Sequence, residues 1–387
     1  MGIAAVSRRG AVGVMGAALL VAGCSGDGGG AGATGDPVVF DATPTYAMTD
    51  VSPEGSWPAA VLHEDRVFRS EPGVLVVHDA DDGEEIARVE PEGEPLFDSV
   101  DPTEHYRATP ALADVEGEPT VLVGFAVEAE SGATQLDVEI VAVDAATAEV
   151  RWRATFPEPA ASPVVPQKDA AVGVNGVERG VAVVSVSHDA ATQVTFGLSL
   201  ATREVLWEDE ELSAVGIGSG VAAGFGPDTA AGFDVETGEQ VWKSDVDPTR
   251  IGRAGPWILV TGEDGETRLL AIADGAEVDL DGAALTEETF CGADDHAAVV
   301  VCAEDDSSVV ALDAGSGEVL WSDDDWRGEL KGMWRGAVYV RHGDSAVALD
   351  ARTGEVVVDD TGVAPMIVGD RAGLDQRGTD VQLYPVP

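Results

Sequence analysis

Short runs in which apolar and polar positions alternate recur along this chain, and each ends in an Asp, a tight polar segment and a Glu before a second apolar run begins. The clearest copies run from Val310 through Asp313, Gly317 and Glu318 to Trp321, and from Val347 through Asp350, Gly354 and Glu355 to Val357. Two further copies run from Gly232 through Asp234, Gly238 and Glu239 to Trp242, and from Val141 through Asp144 and Glu149 to Trp152. More diverged copies end at Glu84, Glu204 and Glu277, the last with a loop two residues shorter after Asp274. Alternation with a period of two predicts strands, and the punctuation predicts antiparallel pairs joined by tight turns. In this reading Asp144, Asp234, Asp313 and Asp350 accept hydrogen bonds from the backbone ahead of them, and Gly238, Gly317 and Gly354 supply a positive φ. Ala148, Arg203 and Ala276 stand where that glycine is missing, so their corners are expected to be less regular. Trp152, Trp207, Trp242 and Trp321 follow the Glu by three residues and are expected to wedge each unit against its neighbour, with Ala87, Leu280 and Val358 filling the same place less well.

The pattern A-L-D-x-x-T-G-E-x-x-W resembles the PQQ-like propeller repeat over nearly the whole chain after the N-terminal segment. The earlier half of each unit agrees with that resemblance in Thr109-Pro110-Ala111 with Val121 to Gly124, in Ser162-Pro163-Val164 with Val181 to Val184, and in Ala337 to Val340. The resemblance implies an all-β fold, a β-propeller of four-stranded blades occupying residues 37–387. Seven turns are visible, and after the last one Ala364 to Val368 and Val381 to Pro385 read as strands of a further blade lacking its outermost strand. Eight blades are therefore expected rather than seven, with the N-terminal strand around Pro37 to Phe40 closing the ring and removing an open sheet edge. The first two intervals between turn glutamates are the longest, which places insertions near Ala126 to Leu136 and Pro166 to Gly180.

The N-terminus changes the picture of where such a domain resides. Arg8 and Arg9, the apolar run Ala11 to Leu20 and the small residues before Cys24 have the three zones of an export signal. Val21-Ala22-Gly23-Cys24 resembles the bacterial lipobox, which implies removal of residues 1–23, acylation of Cys24 and a Gly-rich tether over 24–36. The expected location is the extracytoplasmic face of a cell membrane, held through an N-terminal lipid. Of the remaining cysteines, Cys291 and Cys302 are expected to pair in an oxidising exterior. With 71 acidic against 22 basic residues the formal charge is −49, which repels nucleic acid and anionic lipid. With 44% hydrophobic residues the chain still has enough to bury a core.

Catalytic patterns are sparse. The six histidines are scattered without metal-ligand spacing, and no nucleophile elbow or phosphate loop is present. His78 and His342 read as ordinary residues beside strand ends. The acidic groups Asp323 to Asp325, Glu304 to Asp306 and Asp294-Asp295 read as solvated turns rather than a calcium loop, and Trp326 and Trp334 as aromatic anchors worth following. Resemblance to quinoproteins would imply a quinone cofactor held on calcium beneath adjacent cysteines, and this sequence has no Cys-Cys pair, so no cofactor is assigned. The expected function is non-catalytic protein binding or scaffolding at the cell envelope, as the resemblance to the outer-membrane assembly propeller lipoprotein implies. The alternative is a quinoprotein-like enzyme or small-ligand sensor using the central channel.

Overall fold

In the computed structural model, residues 37–48, 58–71, 73–96, 109–129, 136–158, 170–187, 193–226, 229–294 and 296–387 are described. Among them every regular element is a strand, and the strands form eight antiparallel sheets. Blade 1 consists of Ala60–His63, Arg66–Glu71, Val74–Asp79 and Glu85–Val89, and blade 2 of Ala111–Val115, Glu118–Glu128, Leu136–Asp144 and Val150–Pro157. Blade 3 takes Ala171–Glu178, Val181–Ser187, Gln193–Ser199 and Val205–Asp209, and blade 4 Ser213–Gly218, Val221–Phe225, Ala230–Asp234 and Gln240–Lys243. Blade 5 has three strands only, Pro248–Ala254, Trp257–Gly262 and Thr267–Ala271. Blade 6 is Phe290–Asp294, Val299–Glu304, Ser308–Asp313 and Val319–Asp323, and blade 7 is Glu329–Trp334, Ala337–His342, Ser345–Asp350 and Val356–Val358. Blade 8 joins the two ends of the chain: Ile367–Val368, Ala372–Arg377 and Asp380–Pro385 are completed by Tyr46–Met48.

The first strand of each blade contacts the first strand of the next all the way round, from blade 8 back to blade 1, so these strands line the axis of a closed ring. The core is accordingly divided among the blade interfaces. Phe68, Leu75 and Val77 of blade 1 pack on Val121, Val123 and Val141 of blade 2, and equivalent clusters lie between every later pair. Met48 and Leu374 against Ala60 and Val67 make the cluster that seals blade 8 to blade 1. Val, Ala and Leu dominate these interfaces because both faces of each sheet are covered, which favours small or β-branched apolar side chains on a pleated surface.

Closure comes from Tyr46–Met48 and not from Pro37 to Phe40. Phe40 is instead buried against Tyr339 of blade 7, ring to ring at 5.8 Å, and its N–H bonds Thr361 O. The Tyr339 hydroxyl accepts from Val38 N at 2.8 Å and donates to Val38 O at 3.2 Å. Burial pushes this phenol up to about 12, against the pull of the Val38 bond. The apolar N-terminal residues thus plug the seam between blades 7 and 8 before the chain reaches the ladder.

The antiparallel topology sorts the connections by face. Turns between strands one and two and between strands three and four lie at one end of every blade. Turns between strands two and three, and the links to the next blade, lie at the other.

Candidate interaction surfaces

On the first of these faces the repeat turns share one geometry. Asp144 Oδ1 accepts from Ala146 N and Thr147 N at 2.9 and 2.8 Å, and Asp350 does the same with Arg352 N and Thr353 N, both at 2.9 Å. Asp234 bonds Glu236 N and Thr237 N, and Asp313 bonds Gly315 N and Ser316 N. These are Asx turns, in which the carboxylate satisfies amides that the bend would leave bare. Arg151 adds its guanidinium to Asp144, Nε to Oδ2 at 3.1 Å. Burial opposes ionisation there, yet Arg151 and the Thr147 amide and hydroxyl outweigh it and hold the carboxyl at about 2.

Gly238, Gly317 and Gly354 take φ of 70°, 76° and 72°. Ala148 and Arg203 adopt the same region at 61° each, with the same hydrogen bonds to Asp144 O and Ser199 O, so those two corners are as regular as the glycine ones. The ladder on either side imposes the strained conformation. The turn of blade 5 is also of full length: Gly275 N bonds Ala271 O and Ala271 N bonds Ala276 O, each at 2.8 Å, so Gly275 holds the positive φ and Ala276 the place of the glutamate. Ala271 replaces the turn Asp, and Asp274 sits where five other copies carry Thr or Ser and blade 1 carries Asp82.

Each repeat tryptophan lies over the turn of the following blade. Trp207 Nε1 donates to Val235 O at 2.7 Å, Trp242 to Ile272 O at 2.8 Å and Trp321 to Ala351 O at 2.9 Å. The Trp207 ring occupies the space a Cβ at Gly238 would need, 2.6 Å away, so glycine there serves both the φ and the contact. Trp152 meets Arg203 instead, the guanidinium 5.3 Å from the ring centre. Tyr46 of blade 8 takes the same place over Gly83 of blade 1 and lies against His78 at 5.4 Å. His78 is buried; burial lowers its pKa against the bond to Gly83 O. Ala87 and Val358 are half-buried, and Val278 rather than Leu280 covers Gly317.

Cys291 and Cys302 stand directly opposite each other in the first hairpin of blade 6 and form a disulfide. Asp294 accepts from His296 N and Ala297 N in the same hairpin and from Gly336 N of blade 7, so its role is to join blades. Trp326 and Trp334 are half-buried in the seams on either side of blade 7, and Trp334 is stacked by Arg335 at 5.4 Å. His342 is exposed. Among the described residues no three His, Cys, Asp or Glu side chains gather as a metal site. Cys24, the segment 1–23 and the tether 24–36 lie outside the described residues.

The opposite face carries two features, one that sequence reasoning missed and one that it placed as an insertion without its form. The first is charge buried between blades 7 and 8. Asp375 is fully buried, with Arg377 Nε at 2.9 Å and Lys331 Nζ at 3.9 Å, while Lys331 also meets Glu329 at 2.6 Å. Burial raises the Asp375 carboxyl, and Lys331 and Arg377 pull against it. The second is a tall hairpin in blade 2. Its second and third strands continue three pairs past Phe125↔Glu139, whereas blade 6 stops at the equivalent Glu304↔Ser308. Three more pairs add roughly 10 Å of height. The connection from blade 1 braces this extension: Leu96 N bonds Ala126 O at 2.9 Å and Glu128 N bonds Glu94 O at 2.8 Å. Beneath it Glu139, with no exposed surface, accepts from Glu92 N and Gly93 N and pairs with Arg153 at 2.7 Å. The insertion placed at Ala126 to Leu136 is therefore strand up to Glu128 and again from Leu136, with 130–135 outside the described residues. The one placed at Pro166 to Gly180 is corrected more fully, since Ala171–Glu178 is the first strand of blade 3. Its polar glycines misled because Gly176 forms a bulge in that strand.

Residues 226–365 match the family model described as outer membrane protein assembly factor BamB. No curated protein matches. Among solved structures, BamB from Moraxella catarrhalis is 14% identical, covering 89% of this chain and 99% of its own, with a TM-score of 0.49. The computationally designed Ika8 protein is 15% identical over 80% of this chain and 99% of its own, at 0.38. Quinohemoprotein alcohol dehydrogenase ADHIIG from Pseudomonas putida HK5 is 9% identical over 89% of this chain and 76% of its own, at 0.47. The described residues form a propeller of eight blades, and residues 226–365 are similar to the PQQ-like family model of BamB.

Proposed function

We propose that this chain is an exported, lipid-anchored propeller that docks a protein partner at the cell envelope, with the signal at 1–23, the acylated residue at Cys24, a tether over 24–36 and the propeller from 37 onward. The observation that carries the reading is the raised hairpin of blade 2. Extending it orders extra backbone, and it is held by a buried Glu139 bonded to two amides and an arginine. A fully desolvated carboxylate spent on bracing a projection makes sense where the projection must meet another surface in a fixed pose. The matched family model, described as an outer membrane assembly factor, supports an envelope setting and a partner that is a protein. The acidic balance of the chain favours a partner with a basic surface.

The test is affinity capture from solubilised membranes with the full chain and with a variant whose hairpin is cut back to Phe125 and Glu139 and closed by Asn-Gly. The expected outcome is a partner captured by the full chain and lost with the shortened one, which still folds cooperatively but melts lower because Val127, Leu136 and Val138 leave the core. An identical captured set rejects the hairpin. A calorimetric titration with PQQ and calcium separates the alternative, a quinoprotein-like use of the central channel. Heat of binding in the micromolar range would favour that reading over docking.

A further inference from the structure

The outer side of blade 5 differs from every other blade among the described residues. The turn hydrogen bonds align Ala271 with Asp313 of blade 6 and Gly275 with Gly317. After the turn both blades begin a fourth strand: Glu277 bridges Leu270 as Val319 pairs with Leu312, and Val278 N bonds Leu269 O at 2.9 Å. In blade 6 the strand goes on through Trp321, Ser322 and Asp323 against Ala311, Val310 and Val309. In blade 5 the equivalent residues, Asp279 to Asp281, turn away: Asp281 N bonds the Asp279 carboxylate, Asp281 takes a φ of 51°, and Ala283 N bonds Leu280 O. The blade thus lacks its tryptophan and most of its outermost strand at the same point.

Antiparallel backbone groups alternate in direction. Ala271 N–H and Leu269 C=O point outward, as their bonds to Ala276 and Val278 show, so Leu269 N–H and both groups of Thr267 point outward as well. No backbone group among the described residues pairs with these three. Beside them lies a cleft of ≈ 530 Å³, floored by Leu280, Ala283 and Leu285 and rimmed by Glu266, Glu277 and Asp279. Its one basic residue, Arg268, is already held by Glu266 at 2.6 Å and Glu277 at 3.7 Å.

We infer that this edge receives an extended segment of a protein partner, added as the missing outer strand of blade 5, with basic side chains over the acidic rim and an apolar one in the cleft. The unpaired backbone supplies the ladder and the cleft supplies the side-chain preference. Charge selects the occupant: with three carboxylates against one arginine at the rim and a chain at −49, a second copy of this chain is repelled and a Lys- or Arg-bearing strand is attracted. The site lies on the side of the ring and stands independently of the blade 2 hairpin.

The test uses the full chain in detergent and fluorescence anisotropy with three labelled octapeptides: alternating Lys and Val, alternating Glu and Val, and the Lys–Val peptide N-methylated at every second amide. The Lys–Val peptide is expected to bind, the Glu–Val peptide not to bind, and N-methylation to weaken binding at least about ten-fold, since each lost ladder bond leaves a desolvated group. Thr267→Pro removes one outward donor that bonds no backbone group among the described residues, a substitution an edge tolerates, together with the hydroxyl that meets Thr261 at 3.0 Å. Set against Thr267→Val, which loses the same hydroxyl but keeps the N–H, it is expected to weaken the peptide at least about five-fold at a similar melting temperature. If that variant unfolds, the N-methylated peptide decides alone. Equal binding of the methylated peptide, equal binding of the Glu–Val peptide, no binding of any, or a dimer in sedimentation that Thr267→Pro dissociates would each overturn the inference. The hairpin-shortened variant must keep the peptide site, which separates this result from the docking reading.

Discussion

At Asp144 one carboxylate serves two turn amides and an arginine, and the balance among them sets how the corner responds to acid. Its pKa is drawn down from 3.8 to about 2, so the ionised side chain is favoured in the folded state over the unfolded one. The sign follows from linkage: this contribution is complete above 3.8 and is lost as pH falls through about 2. Arg151→Ala is expected to lower the melting temperature above pH 3.8 by a small amount, because the pair is partly exposed, and the gap between the two proteins is expected to close as pH falls toward about 2. A melting-temperature profile between pH 2 and 5 (roughly the range over which such a carboxylate titrates) checks it; parallel profiles for the two proteins would reject it. The turn Asp and Gly residues were legible because their chemistry is local. Blade 5 was misread for the same reason, since Asp274 imitates the turn residue and only the hydrogen bonds show Ala271 in its place.

Elements show where sequence pattern stops informing. Each hairpin could be read from its alternation, and the pairing of Cys291 with Cys302 follows from their equal distance from the turn. Closing this loop is worth roughly 3 kcal/mol by loop entropy. The double substitution to serine is expected to lower stability by about 2–3 kcal/mol in denaturant titration with the fold retained. The blades on either side keep their own interfaces, and reduction of the wild type should reproduce the loss. A change under about 0.5 kcal/mol would show that the ladder alone fixes the hairpin. Which apolar segment forms a strand is a different question. Pro37 to Phe40 and Tyr46 to Met48 look alike as short apolar runs, and what separates them is tertiary: Tyr46 fits over Gly83, whereas Phe40 fits the seam beside Tyr339. The brace of the blade 2 hairpin was equally hidden, because Glu92, Gly93 and Glu139 meet only once two blades are side by side.

In the whole molecule the core is a ring of blade interfaces, so no interface can open without exposing the apolar faces of two sheets. The interface that joins the chain's two ends depends on a three-residue strand, Tyr46–Met48, paired with Val381 to Leu383. Met48 is 3% exposed and Phe40 2%, both inside separate clusters that involve blade 8. Removing residues 37–48 from the full chain deletes both side chains and leaves the strand Asp380–Pro385 with an unpaired edge. Losing two large buried side chains costs about 3–5 kcal/mol each, which for a domain of this size corresponds to a fall in melting temperature of roughly 10 °C or more. The bared edge is a template for another chain, so concentration-dependent association is expected with the destabilisation. Differential scanning calorimetry and sedimentation velocity on the deleted and intact chains measure the two consequences separately. A shortened chain that melts and sediments like the intact one would place closure elsewhere in the ring. A chain that loses stability yet stays monomeric would show that Met48 and Phe40 act through burial alone, with the edge of blade 8 protected by its own residues.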